Sequence, residues 1–359
     1  MSAHRIDETI ASFAEQVIEG KALSDDQAHW LASLSNEHLH DLFRAASRIR
    51  DHFVGRGVRC CSIVAAKTGR CREDCAFCSQ SQHHGTRVEG LTVLDEDQVF
   101  QAAMEAAVNG AQSFGIVNSG YGPTDQEVEH WSRVVQRIRD TGKILVCASL
   151  GVLTPEQAER LKQAGVHRYN HNLQTSRRHF PGIVKTHTYD ERLATLQRLQ
   201  ETGIRVCSGV LFGMGETWAD RIELALELRR VNPDVVPINF LIPIEGTPLE
   251  GMEPLEPMEC LRIIAIYRFL LAQQSLKIAG GREVNLRDLQ SWIFYAGADS
   301  FLVGNYLTTC GRSADDDHRM IRDLGLEMQS RPVSDDNVML PPGPALLNSQ
   351  RKSPLPHAT

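Results

Sequence analysis

Residues 188–211 read TYDERLATLQRLQETGIRVCSGVL, and one complete helix-to-strand unit is legible in them. Thr188 followed three residues later by Glu191 is a capping box, in which each side chain accepts from the other residue's backbone N–H. Residues 189–202 then carry apolar side chains at spacings of three and four, the pattern of an amphipathic helix. Gly203 stands where a helix ends in a left-handed residue. Residues 204–211 form a short β-branched run of the kind that buried strands carry.

The same unit recurs along most of the chain. Buried-strand runs are read at 61–66, 113–117, 144–150, 168–172, 204–211, 235–242, 276–279 and 300–303. Amphipathic stretches lie between them at 96–109, 125–141, 155–164, 189–202 and 218–231. Gly110, Gly142, Gly165, Gly203 and Gly297 each follow a helical stretch, and Thr154-Pro155 sets a capping hydroxyl before a first-turn proline. Eight strands alternating with helices imply parallel pairing through right-handed crossovers. The expected fold is a (β/α)8 TIM-type barrel, with its active site at the C-terminal ends of the strands. An open doubly wound sheet is the alternative, but no Gly-x-Gly-x-x-Gly turn follows the first strand.

The barrel is expected to span 57–327. Residues 1–56 read as an N-terminal helical extension, with helices near 6–19, 25–34 and 38–53 placed to cap the barrel's bottom. Residues 328–359 end in LPPGPALLNSQRKSPLPHAT and read as a flexible, disordered C-terminal tail.

The 359-residue chain has 42% hydrophobic and 23% charged residues, the composition of a globular protein. Lys plus Arg number 38 against 45 Asp plus Glu, a formal charge of −7 with a pI near 6.1. Such a chain has no general attraction for nucleic acid or anionic membranes. No run approaches the roughly 18 apolar residues of a membrane helix, and the opening MSAHRIDETI lacks a signal peptide's apolar core. A cytoplasmic location follows as the expectation. The nine cysteines are odd in number and unevenly spaced, which argues against a disulfide framework and for metal, redox or catalytic duty.

Three of those cysteines follow the first strand directly. Residues 67–78, KTGRCREDCAFC, space Cys71, Cys75 and Cys78 as Cys-x3-Cys-x2-Cys. A cubane iron–sulfur cluster offers four irons, so three thiolates on one short loop leave one iron open to an outside ligand. A structural zinc knuckle is the alternative, with His83 or His84 as the fourth ligand.

Cys-x3-Cys-x-Phe-Cys at the opening of a barrel resembles the signature of the radical S-adenosylmethionine (SAM) superfamily. Within it, 67–80 (KTGRCREDCAFCSQ), 169–176 (YNHNLQTS), 206–217 (VCSGVLFGMGET), 236–249 (VPINFLIPIEGTPL), 279–283 (AGGRE) and 296–309 (AGADSFLVGNYLTT) are similar to the biotin synthase family. The resemblance implies that Cys71, Cys75 and Cys78 hold a [4Fe-4S] cluster whose open iron chelates SAM. It also implies one-electron cleavage of SAM to a radical that takes hydrogen from dethiobiotin, the substrate, during sulfur insertion to biotin. Phe77, Asn172, Gln174, Gly213 and Ile242 are the implied SAM-binding residues, and Asn170, Asn172 and Asn239 the substrate-binding ones. As isolated residues, the asparagines could equally cap strand ends. A flavodoxin- or ferredoxin-type electron donor and a homodimer are implied as well.

The family also carries an auxiliary cluster, usually [2Fe-2S], inside the barrel. By resemblance its ligands are Cys147 on strand three, Cys207 on strand five and Arg282 on strand seven. The strand-two cysteine is absent: Gly115 stands in its place. Cys60 and Cys61 lie on the neighbouring strand, where successive side chains face opposite ways, so one of them can point inward. Cys61 is the expected stand-in and Cys60 its outward partner, giving a ligand set of Cys61, Cys147, Cys207 and Arg282. Gln174, where the family usually has aspartate, and Val117-Asn118-Ser119-Gly120 are further departures. Cys260 and Cys310 have no expected cluster role. Two other readings stay open: another radical SAM barrel enzyme of the maturase or mutase kind, and an iron–sulfur electron carrier without a substrate.

Overall fold

The computed structural model describes residues 3–88, 90–304 and 311–329. Eight parallel strands close into a barrel: β1 Gly57–Thr68, β2 Ser113–Asn118, β3 Leu145–Ser149, β4 Arg168–Asn170, β5 in two pieces (Arg205–Cys207 and Val210–Phe212), β6 Val235–Phe240, β7 Ser275–Ile278 and β8 Ser300–Leu302. Neighbours pair in chain order, and β8 returns to β1 with Arg59 opposite Ser300 and Cys61 opposite Leu302. The (β/α)8 barrel expected from periodicity is therefore the fold. The helices Pro155–Ala164, Tyr189–Thr202 and Trp218–Val231 keep the bounds read from the sequence. Each opens on a capping box, at Thr154, Thr188 and Thr217.

The break in β5 has a steric cause. A Cβ on Gly209 would meet the Pro237 carbonyl oxygen at 2.0 Å, so only glycine lets β6 approach this closely. The Gly209 N–H turns instead to the Asn172 side chain, 3.0 Å away, and the break thereby opens toward the barrel's interior. Alternation sorts the side chains. On β2, Phe114 and Ile116 are buried against the outer helices, while Gly115 and Val117 line the inside.

The N-terminal extension consists of Ala3–Ile18, Asp25–Ala32 and Leu39–Phe53. It packs on the outer helices Trp218–Val231, Pro257–Leu270 and Trp292–Tyr295. Arg50 Nη1 donates to Phe294 O at 2.7 Å, and Ser47 Oγ donates to Tyr295 O at 2.7 Å. The extension thus buries its apolar face against these outer helices. At the other end, Glu327–Met328 pairs with Gly57 and Val58, and Gln329 N donates to Val58 O at 2.9 Å. The fold therefore continues past 327. The expected tail from 330 onward lies outside the described residues. Among those residues, no helix is long and apolar enough to cross a membrane.

Candidate active site

A cavity of about 320 Å³ opens at the C-terminal ends of the strands and runs down among them. Its wall carries Cys71, Cys75 and Cys78 on the loop after β1, and Cys61, Cys147 and Cys207 on β1, β3 and β5. One triad of thiols sits at the mouth and the other among the strands.

The mouth loop is held from both sides. Cys71 N donates to Gln80 O at 3.0 Å, and Gln82 N donates back to Cys71 O at 2.8 Å. Asp74 Oδ1 accepts from Lys185 N at 2.9 Å and Thr186 N at 3.1 Å, while Ala76 N donates to Ile183 O at 2.9 Å. These bonds tie the loop to the segment after β4 and turn its three thiols inward. Burial raises all three thiols above the ordinary cysteine range, and pushes Cys75 up to about 12 against the pull of the Arg192 cation. Metal binding at such thiols must displace their protons, because the thiolate is the ligand. His83 Nε2 instead meets Arg72 O at 2.9 Å, and His84 Nδ1 meets Cys78 O at 3.0 Å. Neither histidine lines the cavity, so neither of the two expected zinc ligands is placed beside the three thiols there.

Beside the loop runs a buried polar chain that sequence reading missed. His187 Nδ1 lies 2.5 Å from Glu73 Oε2, and Arg192 donates to His187 Nε2 from Nε at 3.1 Å and Nη2 at 2.8 Å. Arg192 Nη1 also donates to Asn172 O at 2.7 Å. Because Nε2 accepts, the Nδ1 atom carries the hydrogen toward Glu73. Burial and the Arg192 charge both lower the His187 pKa, with Glu73 opposing them. The chain links the cluster loop to β4.

The inner triad is drier. Cys61, Cys147 and Cys207 are all buried. Burial pushes the Cys147 thiol up to about 11, with the nearby Arg168 and Lys277 cations opposing the rise. Lys277 Nζ lies 3.8 Å from Cys207 Sγ. Gly115 sits opposite Cys147 on one side and Ile63 on the other. Cys60 faces outward, its Sγ 3.7 Å from Met328 Sδ. Soft thiols accompanied by two cations suit an anionic metal–sulfur group.

Between the triads stand the asparagines. Asn170 Nδ2 donates to Asn172 Oδ1 at 2.9 Å and lies 3.4 Å from Cys207 Sγ. Asn239 Nδ2 donates to Val210 O at 2.9 Å, and its Oδ1 accepts from Gly280 N at 2.9 Å. Asn239 thus does cap strand ends, but it keeps one N–H and one lone pair for a ligand. Phe77, Gln174 and residues 117–120 also line the cavity, with Gln174 held at φ 71°.

Three expected site residues lie elsewhere. Strand seven stops at Ile278, and Arg282 opens the short helix Arg282–Leu286. Its guanidinium binds Asp317 at 3.0 and 2.9 Å and lies over the Phe301 ring, outside the barrel. Gly213 N donates to both carboxylate oxygens of Glu216, each at 3.1 Å, in a turn away from the cavity. Ile242 follows the end of β6 and is not part of the cavity wall. Cys260 is buried in Pro257–Leu270, and Cys310 lies outside the described residues. The missed residues at the inner site are Arg168 and Lys277; the signal for the second was one lysine inside an otherwise apolar strand.

Comparisons with known proteins agree with this geometry. Residues 66–228 match the radical SAM superfamily, and 237–327 match the biotin and thiamin synthesis associated domain. The biotin synthase of Trichlorobacter lovleyi is 49% identical over 321 residues, covering 89% of this chain and 96% of that one. That of Geobacter sulfurreducens is 47% identical, covering 89% and 97%. A crystal structure of methylornithine synthase shares the fold at a TM-score of 0.79 and 20% identity, covering 89% and 97%. With its mouth thiols, its radical SAM match and relatives this close over nearly their whole length, the chain belongs to the biotin synthase family of radical SAM enzymes, whose cofactors are SAM and a [4Fe-4S] cluster.

Proposed function

We propose that this cavity converts dethiobiotin to biotin with two iron–sulfur clusters, one on Cys71, Cys75 and Cys78 and an auxiliary one on Cys61, Cys147 and Cys207. When bound, the first with SAM supplies hydrogen abstraction from unactivated carbon and the second supplies sulfur, chemistry no side chain provides. The observation that carries the reading is the pair of thiol triads on one cavity wall, at the mouth and among the strands. The protein's own share is positioning. The Glu73–His187–Arg192 chain orients the mouth loop and the Asn172 carbonyl. Asn172 and Gln174 are read as SAM contacts with Phe77 beside them, and Asn170 and Asn239 offer amides to the ureido ring and carboxylate of the substrate. All eight described cysteines are free thiols, which supports a cytoplasmic setting; a flavodoxin- or ferredoxin-type electron donor and a homodimer complete the reading.

Anaerobic reconstitution of the full chain tests it. A Cys71/Cys75/Cys78→Ala triple variant is expected to lose the SAM-induced change in the EPR signal. A Cys61/Cys147/Cys207→Ala triple variant is expected to keep that change and lose a separate share of iron. Equal iron in the second variant and the parent protein contradicts the auxiliary site.

A further inference from the structure

We propose that Lys277 and Arg168 are the two cations of the inner site, and that they hold its cluster by donating N–H groups to its sulfur atoms. Lys277 then takes the strand-seven role that the resemblance gave to Arg282. The inference rests on the inner-cluster reading above.

Register puts Lys277 there. On β7, Leu276 and Ile278 are buried in the hydrophobic core, and Lys277 lines the cavity together with Ala279 just beyond the strand's end. Lys277 is 8% exposed, and its Nζ reaches Cys207 Sγ at 3.8 Å. Arg168 lines the same cavity, sits opposite Cys147 across the β3–β4 pair, and leaves its Nε without a hydrogen-bond partner. Glu73 is the only carboxylate-bearing residue among the described residues of the cavity wall, and it is engaged with His187 at the mouth. Asp234, whose field reaches Arg168, lies outside the wall and accepts from Val206 N at 2.8 Å. Two cations in a dry interior without a lining carboxylate are expensive unless an anion arrives. Three thiolates around a metal–sulfur core are such an anion. A protonated ammonium has three N–H donors and no lone pair, so Lys277 donates to sulfur and does not ligate iron. Protein ligation then comes from Cys61, Cys147 and Cys207 alone.

The test uses the full chain, reconstituted anaerobically with iron and sulfide, as Lys277→Met, Lys277→Arg and Cys147→Ala variants. The readouts are iron content, the EPR spectrum and the midpoint potential of the inner cluster. Removing a cation disfavours the more negative, reduced state, so K277M is expected to shift the midpoint to lower potential while the SAM-induced signal of the mouth cluster stays unchanged. K277R, which keeps the charge, is expected to stay near the parent value. A K277M midpoint and spectrum equal to the parent's overturn the proposal, as does a K277R shift as large as that of K277M. Should K277M fail to fold, K277Q is read in the same way, and an unchanged midpoint there is equally fatal. Cys147→Ala separates the two levels: full iron in that variant removes the inner-cluster reading itself. Lost inner iron together with an unchanged K277M midpoint removes only the role of Lys277.

Discussion

Lys277 Nζ lies 3.8 Å from Cys207 Sγ inside the barrel, whereas Arg282, five residues further on, grips both carboxylate oxygens of Asp317 on the outside. The two basic residues of this segment therefore have separate duties. Lys277 faces the inner thiols, and Arg282 ties the helix Ala314–Asp323 to the barrel through Asp317.

Arg282→Met should act on stability and leave the metal sites alone. Asp317 is fully buried, and losing one partner of a buried ion pair costs about 3–5 kcal/mol. Urea denaturation of the apoprotein reads this loss. Iron per folded chain should match the parent; a selective loss of inner-cluster iron would return Arg282 to the ligand set.

Moving the thiol from Cys61 to Gly115 tests the exchange between neighbouring strands. Cys61→Ala should lower inner-cluster iron and sulfide, and adding Gly115→Cys should restore part of both. A Cβ at Gly115 would meet Ile63 Cγ2 at 3.1 Å, so Ile63 must yield by a few tenths of an ångström. Overpacking of that kind costs about 1–3 kcal/mol, and recovery should be incomplete. Iron and sulfide assays on the single and double variants read the outcome; no recovery at all would separate Gly115 from the cluster position.

His187 gives the apoprotein a pH dependence with a definite sign. Its folded pKa is lowered, by burial first and then by Arg192, from the ordinary 6.5. The unfolded chain takes up a proton at 6.5 while the folded one does not, so stability falls as the pH drops from 6.5 toward the lowered value. Above 6.5 the contribution is fully present. His187→Gln removes this dependence, so the melting-temperature gap between parent and variant should narrow as the pH falls below 6.5. A gap of constant size across that range contradicts neutral His187 between Glu73 and Arg192.

How much of this was legible in the sequence depends on whether a feature is local. Capping boxes and apolar spacing are local, so the helices Pro155–Ala164, Tyr189–Thr202 and Trp218–Val231 could be read to the residue. The spacing of Cys71, Cys75 and Cys78 is local as well. Arg282 was assigned by resemblance alone, and the structure places it past Ile278, on the helix Arg282–Leu286. Gly281, at φ 84° and with its hypothetical Cβ 1.9 Å from Phe240 O, turns the chain out of the strand just before it. The Glu73–His187–Arg192 chain joins residues more than 100 apart, and no local pattern announces it. Gly213 was likewise implied by resemblance alone; in the structure its N–H is taken by the Glu216 carboxylate.

The most direct measurement is anaerobic turnover of Cys61→Ala with dethiobiotin, SAM and a reductant, following 5′-deoxyadenosine and biotin together. The mouth cluster does not use Cys61, so 5′-deoxyadenosine should still form while biotin stays at background. Biotin at the parent level from that variant would contradict an auxiliary cluster built on Cys61, Cys147 and Cys207.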